Sequence, residues 1–277
     1  MDIIPSEDCM ASAYLLAFVF GSCVGSFLNV VIYRIPIGKS VLHPRRSFCP
    51  QCEHGIAWYD NVPILSYLLL GRKCRHCHKP ISFRYCLVEA LTGLLFCLVL
   101  HRFGITPATP VYWVLTAGLI AITFVDLDHF IIPDSISLGL LPVGLILSFA
   151  AFFYGPFEGL HVTNPIQALL GLLVGWSVLD IIGEYATVFL KRDAMGRGDV
   201  KLMGMVGTFL GWELTLAAIP VSAFVGLICY LPKLVTRKIG RFQEIPYGPY
   251  LAVSSFVLML YGDRWIDWYL RLIGILE

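Results

Sequence analysis

Two aspartates stand at the ends of long apolar segments, where a charged side chain is costly. Asp126 closes one apolar run in the stretch FVDLDHFIIPD, and Asp199 opens another behind two glycines in AMGRGDVKLMG. An acid this close to a membrane segment indicates a functional site, because placing it at a helix centre costs about 3 kcal/mol. If the two carboxylates met, they would share one proton, so that one could accept a proton from water while the other polarised a carbonyl group. That chemistry hydrolyses a peptide bond without a covalent intermediate.

The residues around Asp199 fit this chemistry, but they also have simpler explanations. Gly196 and Gly198 place no side chain before the acid, which leaves room for the extended backbone of a substrate. An aspartate at a helix N-terminus is also a good cap that suits the helix dipole, and Asp134 fits a turn or a cap equally well. Lys201 is most simply explained as a lysine whose charge reaches the membrane surface.

Four of the nine cysteines form two CxxC pairs, CPQC at 49–52 and CRHC at 74–77. Two such pairs about twenty residues apart are typical of a zinc site with four thiolate ligands. A site of this kind has no open position, so we expect Zn²⁺ to hold a small loop domain together rather than to catalyse. His76 and His78 could substitute as ligands, although ordinary loop positions explain them more simply. The predicted ligands are Cys49, Cys52, Cys74 and Cys77.

The composition is that of a polytopic membrane protein. Of the 277 residues, 57% are hydrophobic and 14% are charged, and the mean hydropathy is +0.76. Because roughly 20 apolar residues cross a bilayer, we predict an all-α fold with about eight transmembrane helices and a small cytoplasmic zinc-binding loop domain. The polar stretch GWELT interrupts the apolar run that forms the sixth and seventh candidates. The predicted spans are 11–33, 85–102, 111–127, 135–154, 166–190, 200–217, 218–235 and 248–262.

Lysine and arginine are concentrated in the predicted loops on one side of the membrane. The loop at 34–84 holds nine of them against two acids, so the positive-inside rule makes it cytoplasmic. Alternation of the spans then places the loops at 128–134, 191–199 and 236–247 on the same side, with the N-terminus outside. Asp126 ends the third span on that side, and Asp199 begins the sixth. Both aspartates would therefore lie at the cytoplasmic face. The final stretch, DRWIDWYLRLIGILE, is a candidate interfacial helix on the outer side.

Six motifs make the sequence resemble the type IV prepilin peptidases, also called leader peptidase/N-methyltransferases, which are GxGD aspartic proteases. The resemblance covers most of the chain, and its specificity comes from the combination of motifs rather than from GxGD alone. It implies that Asp126 and Asp199 are the two catalytic aspartates and that the four cysteines are zinc ligands. The motifs are GSFLNVVIYRIP at 25–36, RSFCPQCEHGIAWYDNVPILSYLLLGRKCRHC at 46–77, ISFRYCLVEALTG at 81–93, DLDHFIIPD, GRGDVKLM, and IPYGPYLA at 245–252.

The resemblance implies two reactions at the cytoplasmic face of the bacterial inner membrane. The basic leader of a type IV prepilin or type II secretion pseudopilin is removed after a glycine, and the new N-terminal amine is then methylated with S-adenosylmethionine. The sequence has no glycine-rich cofactor signature, so the first loop and the adjoining helix ends would have to build the methyl-donor site. Pilin substrates and membrane lipid are the expected partners, and no nucleic acid is expected. Candidates for binding the cofactor are Glu53, Asp60, Asn61 and Glu89.

These roles divide the chain into two predicted domains. Residues 1–102 would hold the first helix, the zinc loop at 34–84 and the second helix as an N-methyltransferase region, and residues 103–277 would form the GxGD peptidase core. Three alternatives stay open: another GxGD intramembrane aspartyl protease of the presenilin kind, a proton-coupled transporter, and a zinc-knuckle scaffold whose acids only cap helices. The first would not be expected to carry the CxxC pairs. The second would be expected to show an internal repeat, and we find none.

Overall fold

The computed structural model describes residues 7–43, 47–155, 157–191, 195–235, 245–272 and 274. Within these ranges the chain is helical, with two isolated β-bridges and no strand. A short 3₁₀ helix at Trp58–Asn61 lies in the loop that follows the first helix. The α-helices in chain order are α1 (Glu7–Arg34), α2 (Leu65–Leu69), α3 (Phe83–Phe103), α4 (Ala108–His129), α5 (Asp134–Tyr154), α6 (Pro165–Leu190), α7 (Arg197–Val235) and α8 (Gly248–Leu272).

Six of the described helices are long and apolar enough to cross a membrane. The predicted fold class, an all-α polytopic membrane protein with a small cysteine-bearing loop domain, is therefore confirmed. Each of the first five predicted spans corresponds to one helix, and the last one lies in α8. The six helices are α1, α3, α4, α5, α6 and α7.

Two details differ from the expected pattern of spans. The spans predicted at 200–217 and 218–235 form the single element α7, which is interrupted at Gly211, where φ is 79° and ψ is 175°. Only glycine adopts this conformation readily, so the break falls at the first residue of GWELT. The stretch that begins at Asp263 continues α8 as far as Leu272 and does not form a separate helix.

The loop residues that set the predicted orientation are only partly described. The following basic residues lie outside the described residues: Arg45, Arg46, Arg192, Arg237, Lys238 and Arg241.

Local sequence signals fix the ends of the membrane helices. Ser82 precedes α3, and its Oγ accepts a hydrogen bond from the backbone N–H of Arg84 at 3.3 Å. Asn164 precedes α6 in the same way, accepting from the N–H of Ile166 at 2.9 Å, and Pro165 occupies the first helical position. Both are side chains that supply an acceptor to otherwise unpaired backbone donors, so the loops enter these two helices at defined residues.

The chain divides into two compact units, Met1–Ala121 and Ile122–Glu277, and the division falls within α4. In the first unit, α1 packs closely on α3 because glycines line the contact. A Cβ added at Gly25 would lie 2.8 Å from the Cα of Glu89, and one added at Gly93 would lie 2.7 Å from the Oγ of Ser22. Small residues of this kind let helix backbones approach one another in a membrane, where close packing drives association.

The second unit uses glycines more heavily, along the contact between α6 and α7. A Cβ added at Gly171 would collide with the carbonyl group of Gly207, and one added at Gly175 would collide with that of Met203. These contacts hold the first half of α7 against its neighbour, and that half carries Asp199 in its first turn. The close packing therefore fixes the position of this acid relative to α6.

Candidate active site and metal centre

Asp126 lies in the last turn of α4, and only 5% of its surface is exposed. The backbone N–H of Phe130 donates to the carbonyl oxygen of Asp126 at 2.9 Å, and Phe130 itself has a φ of 55°. A positive φ is unfavourable for a bulky residue and ends a helix, so α4 stops here and the chain turns towards α5. Asp126 is thus placed at the end of a membrane helix, as the sequence predicts.

Asp199 lies in the first turn of α7, with 7% of its surface exposed. Its backbone N–H donates to the carbonyl oxygen of Gly196 at 3.1 Å. A carboxylate in this turn suits the positive end of the helix dipole, which agrees with the simpler explanation of its position. Its Oδ1, however, is buried and has no hydrogen-bond partner among the described residues. A helix-stabilising role alone does not account for an orphaned acceptor, because such an atom is costly to bury.

The second unit brings the two acids into one site. Their charges are close enough to interact, and the backbone N–H of Gly248 donates to the Oδ2 of Asp126 at 3.0 Å. The side chain of Ile132 packs against both Gly198 and Gly248. A Cβ added at Gly198 would lie 2.8 Å from the Cβ of Ile132, and one added at Gly248 would lie 3.1 Å from its Cδ1. The site is therefore built from the end of α4, the first turn of α7 and the start of α8.

Gly248 is a site residue to which sequence reasoning assigned no role. A Cβ at this position would lie 2.7 Å from the Oδ2 of Asp126, so a side chain would displace either the acid or the helix start. The signal was present in the motif IPYGPYLA, but a glycine there fits a turn as well as an active site. Gly196 has a milder version of the same constraint, because its added Cβ would lie 3.3 Å from the Oδ2 of Asp199.

Tyr247 is a second residue of the site that carried no expectation. Its hydroxyl shares a hydrogen bond of 2.6 Å with the Oγ of Ser222, and it lies near enough to Asp199 for their charges to interact. Burial raises the pKa of Tyr247, so the hydroxyl keeps its proton at neutral pH. The hydroxyl of Tyr247 therefore contributes a neutral polar group near Asp199.

Lys201 and Asp134 form an ion pair near the start of α7. The Nζ of Lys201 lies 2.7 Å and 2.8 Å from the two carboxylate oxygens of Asp134, the first residue of α5. The interpretation that the charge of Lys201 reaches the membrane surface stays a prediction, and the structure adds a specific partner that holds its ammonium group. Asp134 makes no side-chain hydrogen bond that caps α5, and its partner is this lysine.

The four predicted zinc ligands come together in the first unit. Their sulfur atoms all lie within 4.8 Å of one another, and the Sγ atoms of Cys49 and Cys77 are 3.9 Å apart. Four thiolates at about 2.3 Å from a tetrahedral Zn²⁺ would be about 3.8 Å from each other, so the arrangement fits that ion. No histidine belongs to this cluster in the part of the chain that the structure describes, and His76 instead stacks on His54 with ring centroids 4.2 Å apart.

The two CxxC turns have the same backbone construction. In each, the first cysteine donates its N–H to the carbonyl oxygen five residues later, at 3.0 Å from Cys49 and 2.9 Å from Cys74. The residue four positions after it, Glu53 or His78, has a φ of 55° and donates its N–H back to that cysteine's carbonyl oxygen. The repeated geometry aims both sulfurs of each turn at a single point, which is what a shared metal ion requires.

The predicted cofactor-binding residues also lie in the first unit, and three of the four line one cavity. Asp60, Asn61 and Glu89 line a space of 340 Å³, whereas Glu53 does not. The guanidinium of Arg75 donates to both oxygens of Asp60, at 2.7 Å and 2.6 Å, and this pairing holds the pKa of Asp60 below its usual range. The Oε2 of Glu89 accepts from the backbone N–H of Ile64 at 2.8 Å.

Comparison with known families divides the chain into two matched parts. The bacterial peptidase A24 N-terminal domain matches residues 19–103, which include all four clustered cysteines. The type IV leader peptidase family matches residues 113–231, which include both aspartates.

Several curated proteins that are similar over most of the chain are named prepilin leader peptidase/N-methyltransferase. The protein of that name from Aeromonas hydrophila is 35% identical, over 93% of this chain and 93% of its own length. The one from Pseudomonas aeruginosa is 35% identical over 98% and 99%, and the one from Myxococcus xanthus is 41% identical over 82% and 65%. No solved structure matches the chain significantly.

Proposed function

Because the chain belongs to the type IV leader peptidase family, we propose that it removes the basic leader from type IV prepilins and type II secretion pseudopilins and then methylates the new N-terminal amine. The relatives carry both activities in their names, and this chain aligns with nearly their whole length. A different GxGD protease, a proton-coupled transporter and a passive scaffold are not favoured, because none of them explains these relatives. The observation that carries the cleavage proposal is the pair of buried carboxylates, Asp126 and Asp199, in one site.

The hydrogen bonds around the pair suggest a separate role for each acid. The Oδ2 of Asp126 already accepts from the N–H of Gly248, which suits the carboxylate that accepts a proton from the attacking water. The Oδ1 of Asp199 has no partner among the described residues, which suits the acid that holds the shared proton and donates it to the scissile carbonyl. The water oxygen bonds to the carbonyl carbon while its proton moves to Asp126. Collapse then breaks the C–N bond and the amine leaves with a proton.

Glycines at the site would let an extended substrate backbone reach both acids. Gly196 and Gly198 precede Asp199 without side chains, and Gly248 contacts Asp126 through its backbone. A peptide bond can be cut only where it is unwound and accessible, so the site needs this open approach. The substrate's apolar helix would stay in the bilayer while its basic leader extends into the cytoplasm.

The proposed orientation follows from the distribution of basic residues. The loop at 34–84 would be cytoplasmic, the N-terminus outside, and both aspartates at the cytoplasmic face of the bacterial inner membrane. This places the clustered cysteines in a reducing compartment, where they bind metal rather than form disulfides. Cys49, Cys52, Cys74 and Cys77 would hold one structural Zn²⁺, in agreement with the separation of their sulfur atoms.

Methylation would belong to residues 1–102, and cleavage to residues 103–277. When bound, S-adenosylmethionine supplies the methyl carbon, whose bond to sulfur breaks as the bond to the pilin amine forms and the amine proton passes to water. The chain's contribution would be to bind the donor, to exclude bulk water and to admit the new N-terminus. The proposal that Asp60, Asn61 and Glu89 bind the donor is supported by the single cavity that all three line, and Glu53 remains a candidate outside that cavity.

The first experiment is mass spectrometry of a prepilin N-terminus after incubation with the purified full-length protein, with and without S-adenosylmethionine. We expect cleavage in both samples and methylation only with the donor. Asp126→Asn and Asp199→Asn should each slow cleavage by about 10²–10⁴-fold, the usual contribution of general acid–base groups. Asp128→Asn is the matched control, since Asp128 is an exposed acid two residues from Asp126.

Unchanged cleavage by either of the two variants would exclude the carboxylate pair. A wild-type sample that is folded and zinc-loaded, yet cuts no substrate from several pilin classes, would overturn the proposed function as a whole.

A further inference from the structure

The first unit contains a buried carboxylate that the cleavage mechanism does not use. Glu89 lies on α3, within a membrane-spanning helix, and only 8% of its surface is exposed. Its carboxylate accepts hydrogen bonds from the backbone N–H of Ile64, at 2.8 Å, and from the side chain of Ser26. Because an acid inside a span is costly to retain, its presence indicates a function beyond helix packing.

The turn that Glu89 holds is itself strained. Ile64 has a φ of 62° and a ψ of −52°, a region that β-branched residues avoid. Such strain persists only where the surroundings enforce it, and it is concentrated at ligand sites. The hydrogen bond from the N–H of Ile64 to Glu89 is one of these restraints. Glu89 therefore fixes the position of this turn beside the cavity that Glu89 lines.

This cavity has a volume of 340 Å³ and lies in the first unit. Its walls are the second half of α1, the loop that carries the first CxxC pair, α2 and the first turns of α3. The volume lies in the range of about 300–1,000 Å³ that is usual for small-molecule sites. Apolar groups make up most of the lining, as is usual for a small-molecule site, and the cavity also presents charges of both signs, amides and aromatic rings.

We propose that this cavity is the binding site for S-adenosylmethionine and that Glu89 and Asn61 contact it. The proposal rests on the methyltransferase activity proposed above and assigns that activity a location. Four tyrosines contribute aromatic surface to the cavity: Tyr33, Tyr59, Tyr67 and Tyr85.

The lining matches the distinct parts of this donor. Its sulfonium carries a positive charge, which acids such as Glu89 and the faces of aromatic rings both attract. Its ribose hydroxyls can donate to the carboxylate oxygens that Ile64 and Ser26 leave available, and the amides of Asn29 and Asn61 can pair with the edge of adenine. Its own carboxylate suits the guanidinium of Arg34, a buried cation that also lines the space.

The zinc cluster has a clear role in this arrangement. Cys49 and Cys74 line the same cavity, and so do His54 and His76, whose rings stack on each other. Binding of Zn²⁺ would therefore set one wall of the donor site without contributing an open coordination position. The cleaved pilin N-terminus is a less suitable occupant, because it has neither a planar heterocycle nor a diol to use the aromatic rings and acids.

The test is equilibrium binding of S-adenosylhomocysteine to the purified, zinc-loaded full chain by isothermal titration calorimetry, which requires no turnover. Glu89→Gln keeps an acceptor for the N–H of Ile64 but removes the charge, and we expect it to weaken binding about tenfold or more. Asn61→Ala, on an exposed part of the 3₁₀ helix, should also weaken it. Lys39→Gln is the matched control, because it removes an exposed charge from the same loop outside the cavity, and its affinity should equal that of the wild type.

Photo-crosslinking with radiolabelled S-adenosylmethionine and peptide mapping gives a second readout, with label expected in the segments that line the cavity, residues 26–34, 47–76 or 81–89. If the wild type binds and methylates, but the label lies elsewhere or both Glu89→Gln and Asn61→Ala bind normally, the assigned site is wrong and the methyltransferase activity stands. If the zinc-loaded wild type cleaves prepilin but neither binds the ligand nor methylates, the methyltransferase proposal and the site fail together. Zinc content measured on each variant distinguishes a lost contact from a lost fold.

Discussion

The two units position their functional groups by opposite means. In the first unit, side chains hold the functional groups in place. Four thiolates converge on one point, the guanidinium of Arg75 donates to Asp60, and the carboxylate of Glu89 accepts a hydrogen bond from a backbone N–H. In the second unit, the absence of side chains allows the close contacts: the backbone N–H of Gly248 donates to Asp126, and a Cβ added at Gly196 would lie 3.3 Å from the Oδ2 of Asp199. The first device orders the loop between α1 and α3, and the second suits helices packed within a membrane.

The difference follows from what each environment offers. A loop of about fifty residues has too little apolar surface for a core of its own, so a metal or ion pairs must order it. Helices in a bilayer gain little from burying apolar groups and associate by close packing, for which glycine is the best residue. The first unit should therefore be sensitive to loss of ligands, and the second to the addition of atoms.

Removal of zinc is expected to have the largest effect, and it should be confined to the first unit. Structural zinc sites contribute about 10–16 kcal/mol of apparent binding free energy, so Cys52→Ser or a strong chelator should release the ion and unfold the loop. Hydrogen–deuterium exchange should show loss of protection across residues 47–82, while residues 197–231 keep theirs. Cys23→Ser is the matched control, because Cys23 is an exposed cysteine outside the cluster.

Metal analysis of the intact protein gives an independent check, and we expect one zinc ion per chain. A protein that contains no zinc and yet shows the same exchange protection in residues 47–82 would contradict a metal-ordered first unit.

Adding atoms at the carboxylate site should have the next largest effect. Gly248→Val would place methyl groups where a Cβ already lies 2.7 Å from the Oδ2 of Asp126, and the acid or the helix start must move. A displacement of about 1 Å in a catalytic group costs about 10²-fold, so prepilin cleavage should slow by that factor. Gly139→Val is the control, since a Cβ at Gly139 has no neighbouring atom within 4 Å.

Two properties that depend on the first unit should be measured in Gly248→Val: its zinc content and its affinity for S-adenosylhomocysteine. We expect both to equal the wild-type values. Normal cleavage by this variant would show that the contact between Gly248 and Asp126 is not needed for the reaction.

The contrast also explains how much could be predicted from the sequence. The cysteines are recognisable because metal binding imposes both residue type and spacing, and the structure brings all four together. The two aspartates are recognisable because an acid is unexpected at the edge of an apolar run. The helices were predicted almost completely, since a span of about 20 apolar residues is a strong signal.

The sequence revealed much less about residues whose role depends on tertiary contacts. Gly248 is one of 25 glycines, and its local sequence, IPYGPYLA, fits a turn as well as it fits contact with a catalytic acid. The strained turn at Ile64 has no local signal either, because an isoleucine at a positive φ is the opposite of what turn propensity predicts. The cavity is formed by segments as far apart as Asn29 and Glu89, so only their packing shows that Glu53 lies outside it.

The smallest effect is expected from the ion pair between Lys201 and Asp134. It lies close to Asp199 in sequence and could be mistaken for part of the site, but its side chains are 25% and 57% exposed. An exposed pair contributes about 0–1 kcal/mol and is screened by salt, so Lys201→Met and Asp134→Asn should each change cleavage by less than about threefold. A double-mutant cycle on the free energy of unfolding in detergent should give a coupling below about 1 kcal/mol that falls as salt is added. A coupling well above that, or a large loss of cleavage in either single variant, would show that the ion pair between Lys201 and Asp134 belongs to the site of the two aspartates. The second unit would then also depend on side-chain pairing, and the two units would differ less than their contacts indicate.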